Sequence, residues 1–191
     1  MVKNSIKSVC VFCGSRDGSN ALFKKASFEL GILLANENLK LVYGGGNIGL
    51  MGALASSAQS NNCNILGVIP EHLMKKEVGK TDLKKLTVTK NMHNRKSLMY
   101  KEADAFIILP GGIGTLDEFF EVLTWSQLKI HKKPILLLNI DGFWNPMIDL
   151  INHQINFGFV DKSIENLFIT VKKPSEAIDY LVLSDRKLSN E

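Results

Sequence analysis

The sequence predicts an α/β fold, namely a Rossmann-like, doubly wound parallel sheet with helices on both faces of a single domain. Short apolar runs alternate with amphipathic stretches along the chain, which is the pattern of repeated strand–helix units. Three of the apolar runs end in glycine-rich turns that lead into a helix. The length of 191 residues favours one domain. We assign residues 1–183 to this domain and residues 184–191 to a C-terminal tail.

Most of the predicted strands are short apolar runs that end at a glycine, a proline or a polar turn. The first run ends at Gly14, the second at Gly44 and the third at Pro70. Strands that are buried on both faces of a parallel sheet have this uninterrupted apolar character. In chain order, the predicted strands are Ile6–Cys13, Leu39–Tyr43, Asn64–Ile69, Leu86–Thr89, Ala105–Leu109, Pro134–Ile140 and Leu167–Val171.

The predicted helices lie between these strands. An asparagine followed by a proline is a strong start signal, so we predict that Asn145 caps a helix whose first residue is Pro146. The segment Glu71–Lys85 is polar and lysine-rich, and we predict a loop with one helical turn there. In chain order, the predicted helices are Ala21–Asn36, Ile48–Gln59, Met92–Lys101, Thr115–Leu128, the helix that begins at Asn145, and Ser175–Leu183.

The helix Thr115–Leu128 has apolar residues around more than one face. A helix of this kind is buried on more than one side. Packing against the sheet explains the pattern, and so does contact with a second subunit. We expect a homodimer in which this helix contributes to the interface.

Composition and charge exclude several classes of protein. Apolar residues make up 45% of the chain and charged residues 22%, as in ordinary globular proteins. The net charge of +4 is too small to indicate nucleic-acid binding, and no apolar run approaches the ~18 residues of a membrane span. We therefore expect a cytoplasmic protein without a nucleic-acid or membrane partner. The three cysteines and four scattered histidines form no disulfide framework or ligand cluster, so we expect no metal or cofactor.

Three turns of small residues follow predicted strands and precede helices. Because the carboxyl ends of parallel strands meet at one edge of a sheet, we expect these turns to lie together. Helix N-termini attract anions, and glycine lets the backbone approach a ligand closely. Together they predict a phosphate-bearing ligand, and ordinary tight turns are the alternative. The turns are Gly14-Ser15-Arg16, Gly44-Gly45-Gly46-Asn47 and Gly111-Gly112-Ile113-Gly114-Thr115.

The second turn also matches the dinucleotide-binding pattern G-x-G-x-x-G over Gly44–Gly49. That pattern requires an acidic residue at the tip of the following strand to bind a ribose. The following strand ends at Ile69 and Pro70, and Glu71 lies just beyond the proline. An NAD(P)-dependent oxidoreductase is therefore a disfavoured alternative.

Two further segments carry charged candidates. In Met92–Lys96, Arg95 supplies a bidentate donor and Lys96 a point charge, both suited to a phosphate or a carboxylate, although a solvated helix face is the alternative. Glu118 lies one turn into the helix after the third glycine turn, where it suits a ribose or an attacking water. Thr115 and Glu118 also have the spacing of a capping box, so a structural role stays open.

Cys10 and Cys13 have the spacing of a redox or zinc pair. Redox pairs stand at the start of a helix, whereas these two lie in a predicted strand, where residues three apart face opposite sides. Zinc would require a second pair of ligands. We interpret both cysteines as buried structural thiols.

In combination, the motifs resemble the LONELY GUY family of nucleotide phosphoribohydrolases. The resemblance extends from about Ser8 to Val160, and the proline–glycine motif that ends at Glu118 is its most specific part. Thr124–Leu128 and Asn139–Phe143 are also similar to the family. The matching motifs are Val11–Ser15, Leu41–Gly52, Met92–Lys96 and Pro110–Glu118.

The resemblance implies a fold and an activity. Family members are Rossmann-like, usually dimeric, and hydrolyse the N-glycosidic bond of cytokinin riboside 5′-monophosphates to the free base and ribose 5-phosphate. Some bacterial members also act on AMP. Similar proteins have been labelled lysine decarboxylases, a role that no residue of this sequence supports.

The resemblance also implies roles for individual residues. Arg95 and Glu118 would be the catalytic pair, and Glu118 would stabilise the positive charge that develops on the sugar and would orient or deprotonate water. Lys96 and Gly112–Thr115 would hold the phosphate and ribose. The further candidate substrate-binding residues are Gly14, Ser15, Gly45, Gly46, Glu77, Met92, Gly111, Asp117 and Thr124.

Three readings of function remain in competition with one another. A cytokinin-activating hydrolase and a broader AMP nucleosidase-type phosphoribohydrolase differ in the base that they accept. A non-catalytic nucleotide sensor would use the same glycine turns without needing Glu118. The sequence does not distinguish the prenylated base from adenine.

Overall fold

A single parallel sheet forms the centre of the molecule. The computed structural model describes residues 6–74, 76 and 78–189. In this part of the chain, seven strands follow the spatial order β4-β3-β2-β1-β5-β6-β7, and every neighbouring pair is parallel. The strands are β1 (Ser8–Phe12), β2 (Lys40–Tyr43), β3 (Ile65–Pro70), β4 (Leu86–Thr89), β5 (Ala105–Ile108), β6 (Ile135–Leu138) and β7 (Ile169–Val171).

Helices cover both faces of this sheet. Residues of α1, α2 and α6 belong to one apolar core, and residues of α3, α4 and α5 belong to a second core on the other face. The predicted doubly wound α/β fold is therefore confirmed. The helices are α1 (Ala21–Asn36), α2 (Gly49–Ser60), α3 (Met92–Lys101), α4 (Ile113–Gln127), α5 (Asn145–Asn156) and α6 (Pro174–Ser189).

The strand order reverses beside β1. The chain builds outward from β1 through β2 and β3 to β4, and then returns to place β5 on the other side of β1. Between two adjacent strands whose connections leave in opposite directions, a crevice opens at the carboxyl edge of the sheet. The turns after β1 and β5 border this crevice.

The two cysteines of the C-x-x-C pattern lie on opposite faces of the sheet, as predicted. Cys10 belongs to the core beneath α3, α4 and α5, and Cys13 to the core beneath α1 and α2. Both are buried, and neither belongs to a disulfide in the described part of the chain. Because their side chains point to opposite sides, they are not a redox pair.

Some element boundaries differ from the sequence-based predictions. Asn145 is the first residue of α5 and Trp144 is its N-cap, because the Asn145 side chain accepts a hydrogen bond from Asn139 (2.8 Å) outside the helix. The last helix extends to Ser189 instead of ending at Leu183. In Glu71–Lys85 the predicted helical turn is a short 3-10 helix at Glu71–Leu73.

In the part of the chain that the structure describes, no helix combines the length and the apolar character that a membrane crossing requires.

Candidate active site

A cavity of about 390 Å³ lies at the carboxyl edge of the sheet, at the reversal between β1 and β5. Its walls come from the turns after these two strands, from the start of α2, and from α3 and α4. Helices from both faces of the sheet thus contribute to one cavity. Its lining residues are Cys13, Gly14, Ser15, Arg16, Asp17, Gly18, Phe23, Leu50, Met51, Met92, Arg95, Pro110, Gly111, Gly112, Ile113, Gly114, Thr115, Glu118 and Phe143.

The N-terminus of α4 opens into this cavity. Gly112 is the N-cap and has no side chain to cap the first turn. A Cβ atom added at Gly112 or at Gly114 would meet no atom within 4 Å, so the backbone there borders open space. A helix N-terminus carries unsatisfied N–H groups and a partial positive charge. The arrangement suits an anionic group.

The capping box that the spacing of Thr115 and Glu118 left open does not form at this helix. Thr115 is the third residue of α4 and not its N-cap, so Thr115 and Glu118 do not have the positions that a capping box requires. The backbone is also tightly packed just before the helix, where a Cβ added at Gly111 would lie 2.1 Å from Thr115 Oγ1. Glu118 therefore does not cap α4.

Arg95 and Glu118 face each other across the cavity wall. Nη2 of Arg95 lies 3.9 Å from Oε1 of Glu118, and the two side chains are 7% and 10% exposed. Among the described residues, the guanidinium contacts the Gly44 carbonyl at 3.5 Å and Sδ of Met92 at 3.7 Å, and its buried Nε has no hydrogen-bond partner there. A buried cation with so few close partners has donors to offer a ligand.

Lys96, the neighbour of Arg95, has different partners and does not line the cavity. Its Nζ lies 2.7 Å from Oδ2 of Asp117 and 3.4 Å from Oε1 of Glu121, both on α4. Burial lowers the pKa of this ammonium, but the hydrogen bonds and charges of the two carboxylates outweigh burial and raise the pKa. Lys96 is therefore a charged link between α3 and α4.

The first and third glycine turns meet at the cavity, and the second does not. Gly14, Ser15, Gly111, Gly112, Gly114 and Thr115 line it, as does Met92. Gly45 and Gly46 are buried outside the lining. Gly45 has φ +76°, and a Cβ added there would lie 3.0 Å from Ile69 and 3.1 Å from Leu86. Gly45 thus serves close packing between β2, β3 and β4.

The second turn is also covered by the segment after β3. The Asn47 N–H donates to the Val78 carbonyl (3.1 Å), and the Lys80 N–H donates to the Gly45 carbonyl (2.9 Å). A dinucleotide fingerprint offers its backbone N–H groups to a pyrophosphate. Here the Asn47 N–H of the turn already donates to the Val78 carbonyl, so it is not offered to a pyrophosphate. This contact argues against an NAD(P) site.

Two further residues that the sequence predicts, Thr124 and Asp117, are not in the lining. Thr124 is exposed on the third turn of α4, and the Asp117 carboxylate points to Lys96. Glu77 lies outside the described residues. The described Glu71–Met74 and Val78–Lys80 flank it.

Sequence reasoning did not assign a role to the aromatic wall of the cavity. Phe23 of α1 and Phe143 after β6 meet edge to face, with ring centroids 5.3 Å apart. The turn that carries Phe143 is tied to the start of α1 by a 2.8 Å hydrogen bond from Asn20 to Asp141. Phe23 stands one turn into the helix after the first glycine turn, a position that could have indicated a wall residue.

Cys10 lies beneath the arginine–glutamate pair. Burial raises the pKa of its thiol well above the usual value, and the charge of Glu118 raises it further, against the opposing effect of Arg95. The thiol therefore stays protonated and is no nucleophile. Among the described residues, no group of three or more His, Cys, Asp or Glu side chains could hold a metal ion.

Comparisons with known proteins place the chain in a family. Residues 51–181 match a family model described as "Possible lysine decarboxylase". The chain is also 39% identical, over 180 residues, to cytokinin riboside 5′-monophosphate phosphoribohydrolase LOG1 of Arabidopsis thaliana, covering 94% of this chain and 84% of the relative. The chain belongs to the LONELY GUY (LOG) family. A probable phosphoribohydrolase of the family from Oryza sativa subsp. japonica, LOG4, is 42% identical over 179 residues, covering 94% of this chain and 78% of that protein.

Solved structures with low sequence identity share the LOG chain's fold. The molybdenum cofactor carrier protein of Chlamydomonas reinhardtii superposes with a TM-score of 0.70 at 17% identity, covering 97% of this chain and 99% of that one. The molybdenum cofactor binding protein of Rippkaea orientalis gives 0.67 at 22% identity, covering 95% and 97%. At these identities the likeness concerns the Rossmann-like architecture alone.

Proposed function

We propose that this protein hydrolyses the N-glycosidic bond of adenosine 5′-monophosphates that carry an N6 substituent, releasing the free base and ribose 5-phosphate. The observation that carries the proposal is the buried Arg95–Glu118 pair, 3.9 Å apart, beside a helix N-terminus that opens into the same cavity. The LOG relatives, which are named for this activity, support it.

The chemistry assigns the central role to Glu118. As the bond between C1′ and N9 breaks, its electron pair leaves with the base and positive charge develops on the sugar. A carboxylate beside C1′ stabilises that charge and accepts a proton from water, whose oxygen bonds to C1′. The departing base takes up a proton from solvent.

Arg95 has a supporting role in this scheme. Its guanidinium lies 3.9 Å from the Glu118 carboxyl and offers that group an opposite charge. Its remaining donors are directed to the substrate. Met92 and Met51 pack near the guanidinium and exclude water from it.

The substrate is placed by the two ends of the cavity. The 5′-phosphate binds at Gly112, Gly114 and Thr115, where the first turn of α4 supplies N–H groups and the positive end of its dipole. Phe23 and Phe143 offer an aromatic wall to the base and its apolar N6 substituent. Holding the phosphate fixes the sugar relative to Glu118.

The first experiment measures base release. The purified protein is incubated with AMP, with isopentenyladenosine monophosphate and with adenosine, and the products are separated by chromatography. We expect free base from the prenylated monophosphate. Release from AMP as well would indicate a broader phosphoribohydrolase. Nucleotide binding without base release from either monophosphate would contradict the proposal and favour a sensor.

The assembly in this proposal is a homodimer in the cytoplasm, without a nucleic-acid partner. Large apolar side chains at the start of α4 and just after α5 are exposed, namely Ile113 (81%), Phe157 (68%) and Phe159 (86%). Exposed apolar patches are typical of protein interfaces. Sedimentation equilibrium is expected to give about twice the 21.2 kDa chain mass, and a monomeric mass would contradict the dimer.

A further inference from the structure

Two consecutive residues of α3 face two consecutive residues of α4. Arg95 lies opposite Glu118 at 3.9 Å, and Lys96 lies opposite Asp117 at 2.7 Å, with Glu121 one turn further along α4 at 3.4 Å from the same ammonium. The first pair lines the cavity, and the second pair lies outside its lining. The same two helices thus hold a loose ion pair in the site and a tight one beside it.

The second pair, Lys96 with Asp117, restricts how α3 and α4 move relative to each other. The Lys96 side chain is only 15% exposed, and its charge is matched by two carboxylates from one helix. A close, partly buried ion pair with two partners restricts the relative sliding and rotation of the helices that carry it. Glu118 and Arg95, in contrast, are separated by more than a hydrogen-bond length, so their own contact does not set their spacing.

We infer that Lys96 is a positioning residue that holds α3 against α4, through Asp117 and Glu121, and thereby sets the distance between Arg95 and Glu118. This inference rests on the proposed function. It assigns Lys96 a role different from the phosphate contact that the family resemblance implies. It also assigns Asp117 to the same link instead of to the substrate.

The charges around Lys96 support this role over a phosphate contact. A lysine that holds a phosphate presents its ammonium to the ligand with a net positive charge. The ammonium of Lys96 is directed to Asp117 and Glu121, whose combined charge exceeds its own. A phosphate placed beside them would meet repulsion from both carboxylates.

The decisive experiment compares Lys96→Met with the unmodified protein. Positioning predicts that kcat for base release falls by about tenfold to a hundredfold, because displacing a catalytic group by about 1 Å costs that much. The dissociation constant for AMP, measured by calorimetry, is expected to change less than about threefold. Under positioning, Lys96 makes no contact with the nucleotide, so its replacement removes no ground-state binding contact. A raised dissociation constant with kcat preserved would overturn the inference and identify Lys96 as a phosphate ligand.

A second variant keeps Lys96 in place. Replacing both partners, Asp117→Asn with Glu121→Gln, removes the link and leaves the lysine free to meet a phosphate. Positioning predicts a loss of kcat similar to that of Lys96→Met, whereas a phosphate contact predicts undiminished kcat. Exchange of the charges, Lys96→Glu with Asp117→Lys, together with Glu121→Gln to remove the second carboxylate, is expected to restore at least part of kcat. Failure of the exchange and full activity of the double variant would both contradict the inference.

Lys101→Met provides the matched control. Lys101 is exposed on the same helix, so its replacement removes the same charge without touching α4, and kcat is expected to stay unchanged. Base release by the unmodified protein is measured first. If that protein releases no base, the proposed function fails and this inference with it. Normal release by the unmodified protein and by Lys96→Met would overturn the inference alone.

Discussion

Glu118→Gln is expected to abolish base release from AMP and from its prenylated form while leaving AMP binding nearly intact. The amide keeps the size of the side chain but cannot accept a proton from water or balance positive charge on the sugar. General base catalysis contributes about 10²- to 10⁴-fold, and losing the electrostatic term as well places the expected decrease at the upper end of that range.

The comparison of Glu118→Gln with the unmodified protein requires a measurement of the rate and a measurement of binding. Chromatography gives the rate of base release, and calorimetry gives the dissociation constant for AMP. Glu165→Gln is a suitable control, because Glu165 is exposed in the short 3-10 helix Lys162–Asn166, and its rate is expected to equal that of the unmodified protein. Turnover retained by Glu118→Gln would remove Glu118 from the mechanism. A large loss of AMP binding would assign it to ground-state recognition instead.

Adenosine is expected to be a far poorer substrate than AMP. The nucleoside lacks the phosphate that would meet the N-terminus of α4, and removing one partner of a buried charged contact costs about 2 kcal/mol or more. Such a loss lowers kcat/KM by about thirtyfold or more. Binding energy from a remote group also orients the reacting bond, so kcat itself is expected to fall. Equal rates with adenosine would contradict phosphate binding at this helix.

Gly114→Ala tests the location of the phosphate without disturbing the fold. The added methyl group would meet no atom within 4 Å, and alanine is a better helix former than glycine, so the thermal midpoint of unfolding is not expected to fall. The methyl group would enter the space assigned to the ligand, and KM for AMP is expected to rise while the rate with adenosine stays the same. Glu165→Gln, exposed in the 3-10 helix Lys162–Asn166, is again the control. An unchanged KM would place the phosphate elsewhere.

The alternation of apolar runs and helical stretches determined the fold, and the strands and helices form within a few residues of their predicted bounds. Their ends were less certain, because side chains far along the chain compete for them. Asn145 was predicted as a cap, yet its amide side chain bonds to Asn139. The spacing of Thr115 and Glu118 is compatible with a capping box. The structure excludes it, because Gly112 is the N-cap of α4.

Motif spacing likewise indicated which residues carry the chemistry, but it could not place them relative to one another. Local sequence determines secondary structure through propensity and periodicity, and it placed Gly112–Thr115 at a helix start and Arg95 and Glu118 on neighbouring helical segments. Packing of segments that are distant in sequence decided the remainder. It buried Gly45 against β3 and β4, brought Phe23 and Phe143 together, and turned Lys96 toward Asp117. Such contacts depend on the order of strands in the sheet, which no local pattern of residues encodes.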